Sequence, residues 1–451
     1  MRTTLDPARS CRSALAALVL GMAAAPAAAQ SEKDIAAAAR NAYIFTLPLQ
    51  EMHRVRYLAH VFPANPLRVP INHFLHRREL SDHTHRRVTT PNNDTLYSSA
   101  FLDLSAGPLV LEVPEIADRY YSFALLDFYT NNAAYVGTRT TGASAGRYLI
   151  VGPGWKDAAP AGLRIVAAPT NAAWLLGRIL VTDTGDLPRV HALQDAVKLA
   201  PLHPGGASPP AAPPGDANDP LGYFALANQL LAENPPPARD AAALAEMAAI
   251  NVGPGQRFDP AALSAAQRSA ILSGIDEAKR LIAARSVNSK LVNGWTYPDP
   301  AIGNFGTDYL LRATTALKLL AALEPAEAIY LSYAGEALDG SKAYRLRFAP
   351  DQLPPVRAFW SLSIYEIMPD QRMFFADNPS RRFAIGDRTP GLRRGADGSL
   401  EILIQRESPG DERASNWLPA PAGPFALILR GYMPEPALID ATYAPPRLEP
   451  R

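Results

Sequence analysis

The residues that could do chemistry gather in short polar and aromatic strings. The first is Pro91-Asn92-Asn93-Asp94-Thr95-Leu96-Tyr97-Ser98. Pro91 biases Thr90 towards extended backbone, and Asn92, Asn93 and Asp94 are residues that close Asx turns, so a turn is expected to hand over to a strand. In such a corner Asp94 serves as a general base or substrate anchor and Tyr97 as a hydrogen-bond donor, or both simply hold the turn. The second string, Tyr120 to Tyr129, reads as a strand on which Asp127 and Tyr129 share a face with Phe123 and Leu125, followed by Thr130-Asn131-Asn132. A carboxylate in so aromatic a run needs a partner, and Arg139 is the candidate. His76, Asp94, Tyr97, Asp127 and Arg139 therefore form the expected catalytic set, with Asp94 and Asp127 as the acid–base pair and Arg139 keeping at least one of them ionised. Asn92, Asn93 and Tyr129 are expected to contact ligand.

The C-terminal part repeats the texture. In Phe359-Trp360-Ser361-Leu362-Ser363-Ile364-Tyr365 aromatic and polar residues alternate, and Ile385-Gly386-Asp387-Arg388-Thr389-Pro390-Gly391 and Asn416-Trp417 follow. Trp360, Tyr365 and Trp417 suit a stacking platform and Arg388 an anion clamp, although a tryptophan on a strand also serves as core. Gly386 and Gly391 are expected to supply positive φ to a tight turn. Six of the eight histidines fall between His53 and His85, and His83 and His85 would share a face on a strand, with Glu79, Asp82 and Asp94 nearby. The cluster lacks fixed ligand spacing, so no metal is assigned. There is no G-x-S-x-G elbow, H-E-x-x-H or Walker loop, and no cofactor is expected.

These strings resemble bacterial proteins that pair domain of unknown function 1254, matched by Pro91 to Ser98 and Arg139-Thr140-Thr141-Gly142, with domain of unknown function 1214, matched by Ala384 to Leu392 and Asn416 to Pro421. Asn304 to Tyr309 is a further familiar stretch. The resemblance runs from about Ile35 to about Leu448 and implies jelly-roll-like β-sandwiches; it implies no reaction.

The elements that must position these residues fall into blocks. Arg2, Arg9 and Arg12, an apolar stretch Ala14 to Ala25 and Ala27-Ala28-Ala29 read as a signal peptide over residues 1–29, so a periplasmic or secreted protein is expected. Cleavage would remove Cys11, the single cysteine, and with it all thiol chemistry. The 44 basic and 43 acidic residues nearly cancel, which argues against nucleic acid and anionic membrane as partners. No later apolar run is long enough to span a membrane.

Residues 30–185 are expected to form an N-terminal helix, with prolines breaking Leu47 to Pro70, and a β domain. Residues 186–326 read as a helical connecting segment and 327–451 as a second β domain. The fold class is mainly β with a helical insert (α+β), carrying two β-sandwich or jelly-roll-like domains. Two functions are open: a cofactor-independent hydrolase or lyase acting on a small molecule, or a non-catalytic periplasmic ligand-binding or envelope assembly protein. Homo-oligomer formation is open as well.

Overall fold

Ser31 starts the first helix by accepting from the Asp34 backbone N–H, with Glu32 and Asp34 placed well for the helix dipole. This computed structural model describes residues 31–86, 88–203, 212–216 and 219–451, so the leader read at 1–29 lies outside the described residues. The helix Glu32–His60 does not stop at the prolines: Pro48 lies inside it. Proline removes an N–H and crowds the preceding turn. Tertiary packing overrides that cost, because helices Gly222–Glu233, Ala241–Ala248, Ala265–Ala284 and Tyr309–Lys318 all pack on it. The Phe45 carbonyl near the proline is bonded by Arg312 Nη2 at 3.3 Å. At the crossing with Ala265–Ala284 the backbones nearly touch; a Cβ on Gly274 would sit 2.2 Å from the Ala36 carbonyl oxygen. Ala38, Ala39 and Ala42 are buried on the same helix and keep its waist thin.

The N-terminal β region holds two sheets. One has five antiparallel strands in the order Leu75–His76, Thr95–Asp103, Ala172–Leu180, Tyr121–Asp127, Asn132–Gly137. The other runs Arg164–Ala167, Gly146–Val151, Leu109–Val113, Lys198–Pro201. Leu96, Leu102, Phe123 and Ile179 from the first share a hydrophobic cluster with Leu111, Val113 and Ile150 from the second. The C-terminal region has an eight-stranded sheet along Asn288–Val292, Trp295–Pro298, Ala328–Tyr333, Pro424–Pro434, Val356–Ile367, Met373–Phe374, with Leu338–Asp339 and Ala384–Gly386 pairing off that path. A four-stranded sheet, Trp417–Pro419, Leu400–Gln405, Tyr344–Phe348, Leu448–Pro450, accompanies it.

The two long strands Val356–Ile367 and Pro424–Pro434 are buried on both faces. Trp360, Leu362, Ile364, Leu427 and Leu429 fill a core with the four-stranded sheet. Phe359 and Tyr432 on the opposite face join the cluster of Tyr120, Tyr129 and the helices. Two-sided burial gives near-continuous apolar runs rather than clean alternation.

Three sequence expectations change. Helix (26%) and strand (28%) are nearly balanced, so the fold is mixed α/β with four open sheets in two β-rich regions, not mainly β. Residues 186–326 are not purely a helical connection, because the hairpin Asn288–Val292 and Trp295–Pro298 joins the C-terminal sheet. Its turn is Asn293-Gly294, both at positive φ (52° and 86°), the chemistry a two-residue hairpin requires. Tyr129 is not on the Phe123 and Leu125 face: the strand ends at Asp127, and Tyr129 packs with the helices while Phe123 and Leu125 face the other sheet.

Candidate functional site at the seam between the two β regions

The Pro91 to Asp94 turn closes on itself and then docks across the molecule. Asn92 Oδ1 accepts from the Asp94 N–H at 2.6 Å. The outer face of the C-terminal sheet grips the turn: Tyr365 donates its hydroxyl to Pro91 O at 2.7 Å, and Asn92 Nδ2 donates to the Tyr432 hydroxyl at 2.6 Å. Arg430 bridges Ser363 Oγ at 2.6 Å and Thr90 O at 3.2 Å. Asp94, 4% exposed, accepts from Ser361 Oγ at 2.7 Å and from Arg388 Nη2 at 2.8 Å. Arg388 also donates to Val181 O at 3.0 Å and lies 4.3 Å over the Phe359 ring. A buried carboxylate bonded on both oxygens in this way ties the turn to the C-terminal sheet and leaves little room for another partner.

Beyond Arg388 lies a second carboxyl, that of Asp387. Asp387 Oδ2 accepts from the Trp360 N–H at 3.3 Å, and its Oδ1 is 3.6 Å from Arg388 Nε. Its side chain is 35% exposed, and the burial of the remainder pushes its pKa up to about 6, with Arg388 opposing and the charge of Asp94 reinforcing the shift. Asp387 lines a cavity of about 290 Å³ with Leu353, Trp360, Thr389, Gly391, Leu392, Arg394 and Leu400. Gly391 has φ +74° as expected; Gly386 does not need positive φ, but a Cβ there would lie 2.2 Å from the Trp360 carbonyl oxygen. The glycine is required by close approach of two strands.

The remaining expected site residues lie elsewhere. His76 bonds Ser98 Oγ at 2.8 Å and stacks near Phe74. Tyr97, one residue before Ser98 on the strand, faces the opposite side and lies 5.2 Å from the Arg178 guanidinium. Burial, then Arg78, lowers the His76 pKa to about 4, so it is neutral at pH 7. Asp127 closes its own corner, accepting from the N–H groups of Tyr129 at 2.9 Å and Asn131 at 2.8 Å and from Asn131 Nδ2 at 2.8 Å. Burial raises its pKa against those bonds. Arg139 pairs with neither aspartate; its partners are Glu324 at 2.6 Å and the buried Glu327, which also accepts from Tyr120. Tyr129 donates to Asn234 O, and Trp417 Nε1 to Gln405 O. Asn93 Oδ1 is buried without a donor among the described residues.

His83 and His85 sit at a turn rather than on a strand, against Asp377 and Asp82. Among the described residues no group of three or more His, Cys, Asp or Glu side chains could hold a metal ion. Ser361 and Asp387 stood in the quoted strings without a role of their own, and Arg394 and Arg430 were not singled out. The signal for Arg430 was an arginine inside the apolar run Leu427 to Met433, which demands a buried partner.

Two β-rich regions joined through such a seam, with helices between, define the class of protein. Residues 71–201 match Protein of unknown function (DUF1254) and residues 327–436 match Protein of unknown function (DUF1214), so the chain combines these two families in N- to C-terminal order. No curated protein matches the sequence. The VPA0106 protein from Vibrio parahaemolyticus is similar, with 23% identity, a TM-score of 0.72 and coverage of 93% of this chain and 100% of its own, which shows a shared fold. An uncharacterized protein from Burkholderia cenocepacia is more distant, at 14% identity, 89% and 86% coverage and a TM-score of 0.44.

Proposed function

We propose that the protein is an exported binder of a small polar molecule, held in the Asp387 cavity. The observation that carries this reading is a recess of about 290 Å³ whose surface is mainly polar, with one carboxyl, one hydroxyl and one guanidinium beside Trp360 and three leucines; convergent polar groups in a concave site are what orient a small polar ligand. Catalysis by the expected set has less support, because Asp94 and Asp127 are saturated by hydrogen bonds and His76 occupies the other face of its sheet. A hydrolase or lyase remains the second reading on one ground: Asp387, at about 6, lies where a general acid or base works best near neutrality.

Export is supported by the order of Arg2, Arg9 and Arg12, the apolar stretch and Ala27-Ala28-Ala29. We also read each β region as a two-sheet sandwich, supported by clusters drawn from both sheets. The test is ligand-observed NMR with a panel of sugars, acids, amines and esters on the wild type and on Leu392→Trp, which fills the cavity. Hits lost on filling support binding. Hits indifferent to filling overturn it, and turnover lost in Asp387→Asn moves the assignment to an enzyme.

A further inference from the structure

Resting on the cavity reading above, the lining of that cavity narrows the ligand class. Its polar groups are mostly donors. Trp360 is 3% exposed and lies against Phe348, while its backbone N–H is donated to Asp387 at the cavity edge. Arg394 spends one donor on Gly398 O at 3.3 Å and leaves the rest of its fork unused. Thr389 Oγ1 accepts from the Gly386 N–H at 2.9 Å, so its own proton is free to give. Leu353, Leu392 and Leu400 complete a lining whose surface is mainly polar. Donors and one cation in a mainly polar recess suit a ligand with an acceptor-rich, negatively charged head.

The single carboxyl in the lining would repel that head if both were ionised. The groups around Asp387 decide the outcome. Arg388, from its own turn, is committed to Asp94 of the N-terminal region, whose negative charge also bears on Asp387. From the strand Val356–Ile367 only the Trp360 backbone N–H reaches it, and Arg394 is the other charged group of the lining. We propose that this cavity binds a small organic acid as its anion, with one proton carried by Asp387, so that carboxyl and carboxylate share a hydrogen bond while Arg394 balances the remaining charge. The proton comes from solvent and returns to it on release. Burial that pushes the Asp387 pKa up to about 6 brings this uptake within reach near neutral pH.

The test is titration calorimetry of the unmodified protein with benzoate and butyrate, and with benzamide and butyramide as uncharged counterparts. It is run from pH 5.5 to 7.5 in two buffers of different ionisation enthalpy. The acids are expected to bind at least tenfold tighter than the amides, to weaken up to about tenfold per pH unit above about 6, and to take up close to one proton at pH 7.5. Asp387→Asn, which mimics the protonated acid, should retain binding and lose both the pH dependence and the proton uptake. Arg394→Gln, which removes the one cation of the lining, should weaken binding of the acids several-fold. Amides binding as tightly as acids, or acids binding without proton uptake, overturns the proposal. If neither series binds, the acid assignment falls, while the wider panel with Leu392→Trp decides the cavity reading separately.

Discussion

Asp94 joins two β regions through a single side chain, with partners 267 and 294 residues away in sequence. Removing one partner of a buried pair strands the other charge. Asp94→Asn is therefore expected to cost about 3 kcal/mol and Ser361→Ala about 1 kcal/mol, measured by urea unfolding; unchanged midpoints would show the pair to be unimportant. Asp387 behaves in the opposite sense. Its folded pKa is raised, so the native state holds the proton more tightly than the unfolded chain does. Its contribution is complete below the unfolded value near 4 and is lost as pH rises through about 6. Asp387→Asn should leave the thermal midpoint unchanged at pH 4 and raise it above wild type at pH 7.5. A variant less stable than wild type at pH 7.5 contradicts this. The sequence displayed Asp94 and Arg388 as unusual residues but not their pairing, since nothing local links residues this far apart. It offered Arg139 as partner to Asp127, because nearness along the chain was the only proximity available.

Among the elements, the crossing of Glu32–His60 with Ala265–Ala284 makes the sharpest forecast. Gly274→Ala gains roughly 1 kcal/mol of helix propensity, yet its Cβ would meet the Ala36 carbonyl oxygen at 2.2 Å, where only backbone could yield. The clash is expected to win, with a net loss of about 1–3 kcal/mol; stabilisation would show that the helices separate freely. Strands such as Leu109–Val113 and Leu400–Gln405 are legible from their β-branched and apolar runs, while the central Ala172–Leu180 was not read. Nor was Ala328–Tyr333, because a central strand with side chains used on both faces loses its period of two. The Asn288–Pro298 hairpin hid behind surrounding helical periodicity, although Asn293-Gly294 marked it. Pro48 misled in the other direction, a local breaker overruled by packing around the helix.

At the scale of the molecule, stability of the seam should come from its interior. The rim pairs Arg86 with Glu366 and Asp82 with Arg381 are partly exposed, worth a few tenths of a kcal/mol and screened by salt. Asp94, Arg430 and Tyr432 are buried, and the cluster containing Tyr120 and the helices also takes in Phe359 and Tyr432. Calorimetry is expected to show one cooperative transition, little changed between 0.05 and 0.5 M salt, rather than two separable ones. Two resolved peaks would mean that the regions melt as independent bodies. The grip of the sheet on the Pro91 to Asp94 turn also has a consequence for heredity. A chimera taking one half from a divergent relative would set a buried aspartate against a surface cut for another turn, or leave Arg388 and Arg430 facing nothing. Recombination between the halves is thus selected against unless both sides of the joint travel together, and substitutions at 94 and 388 should be inherited as a pair.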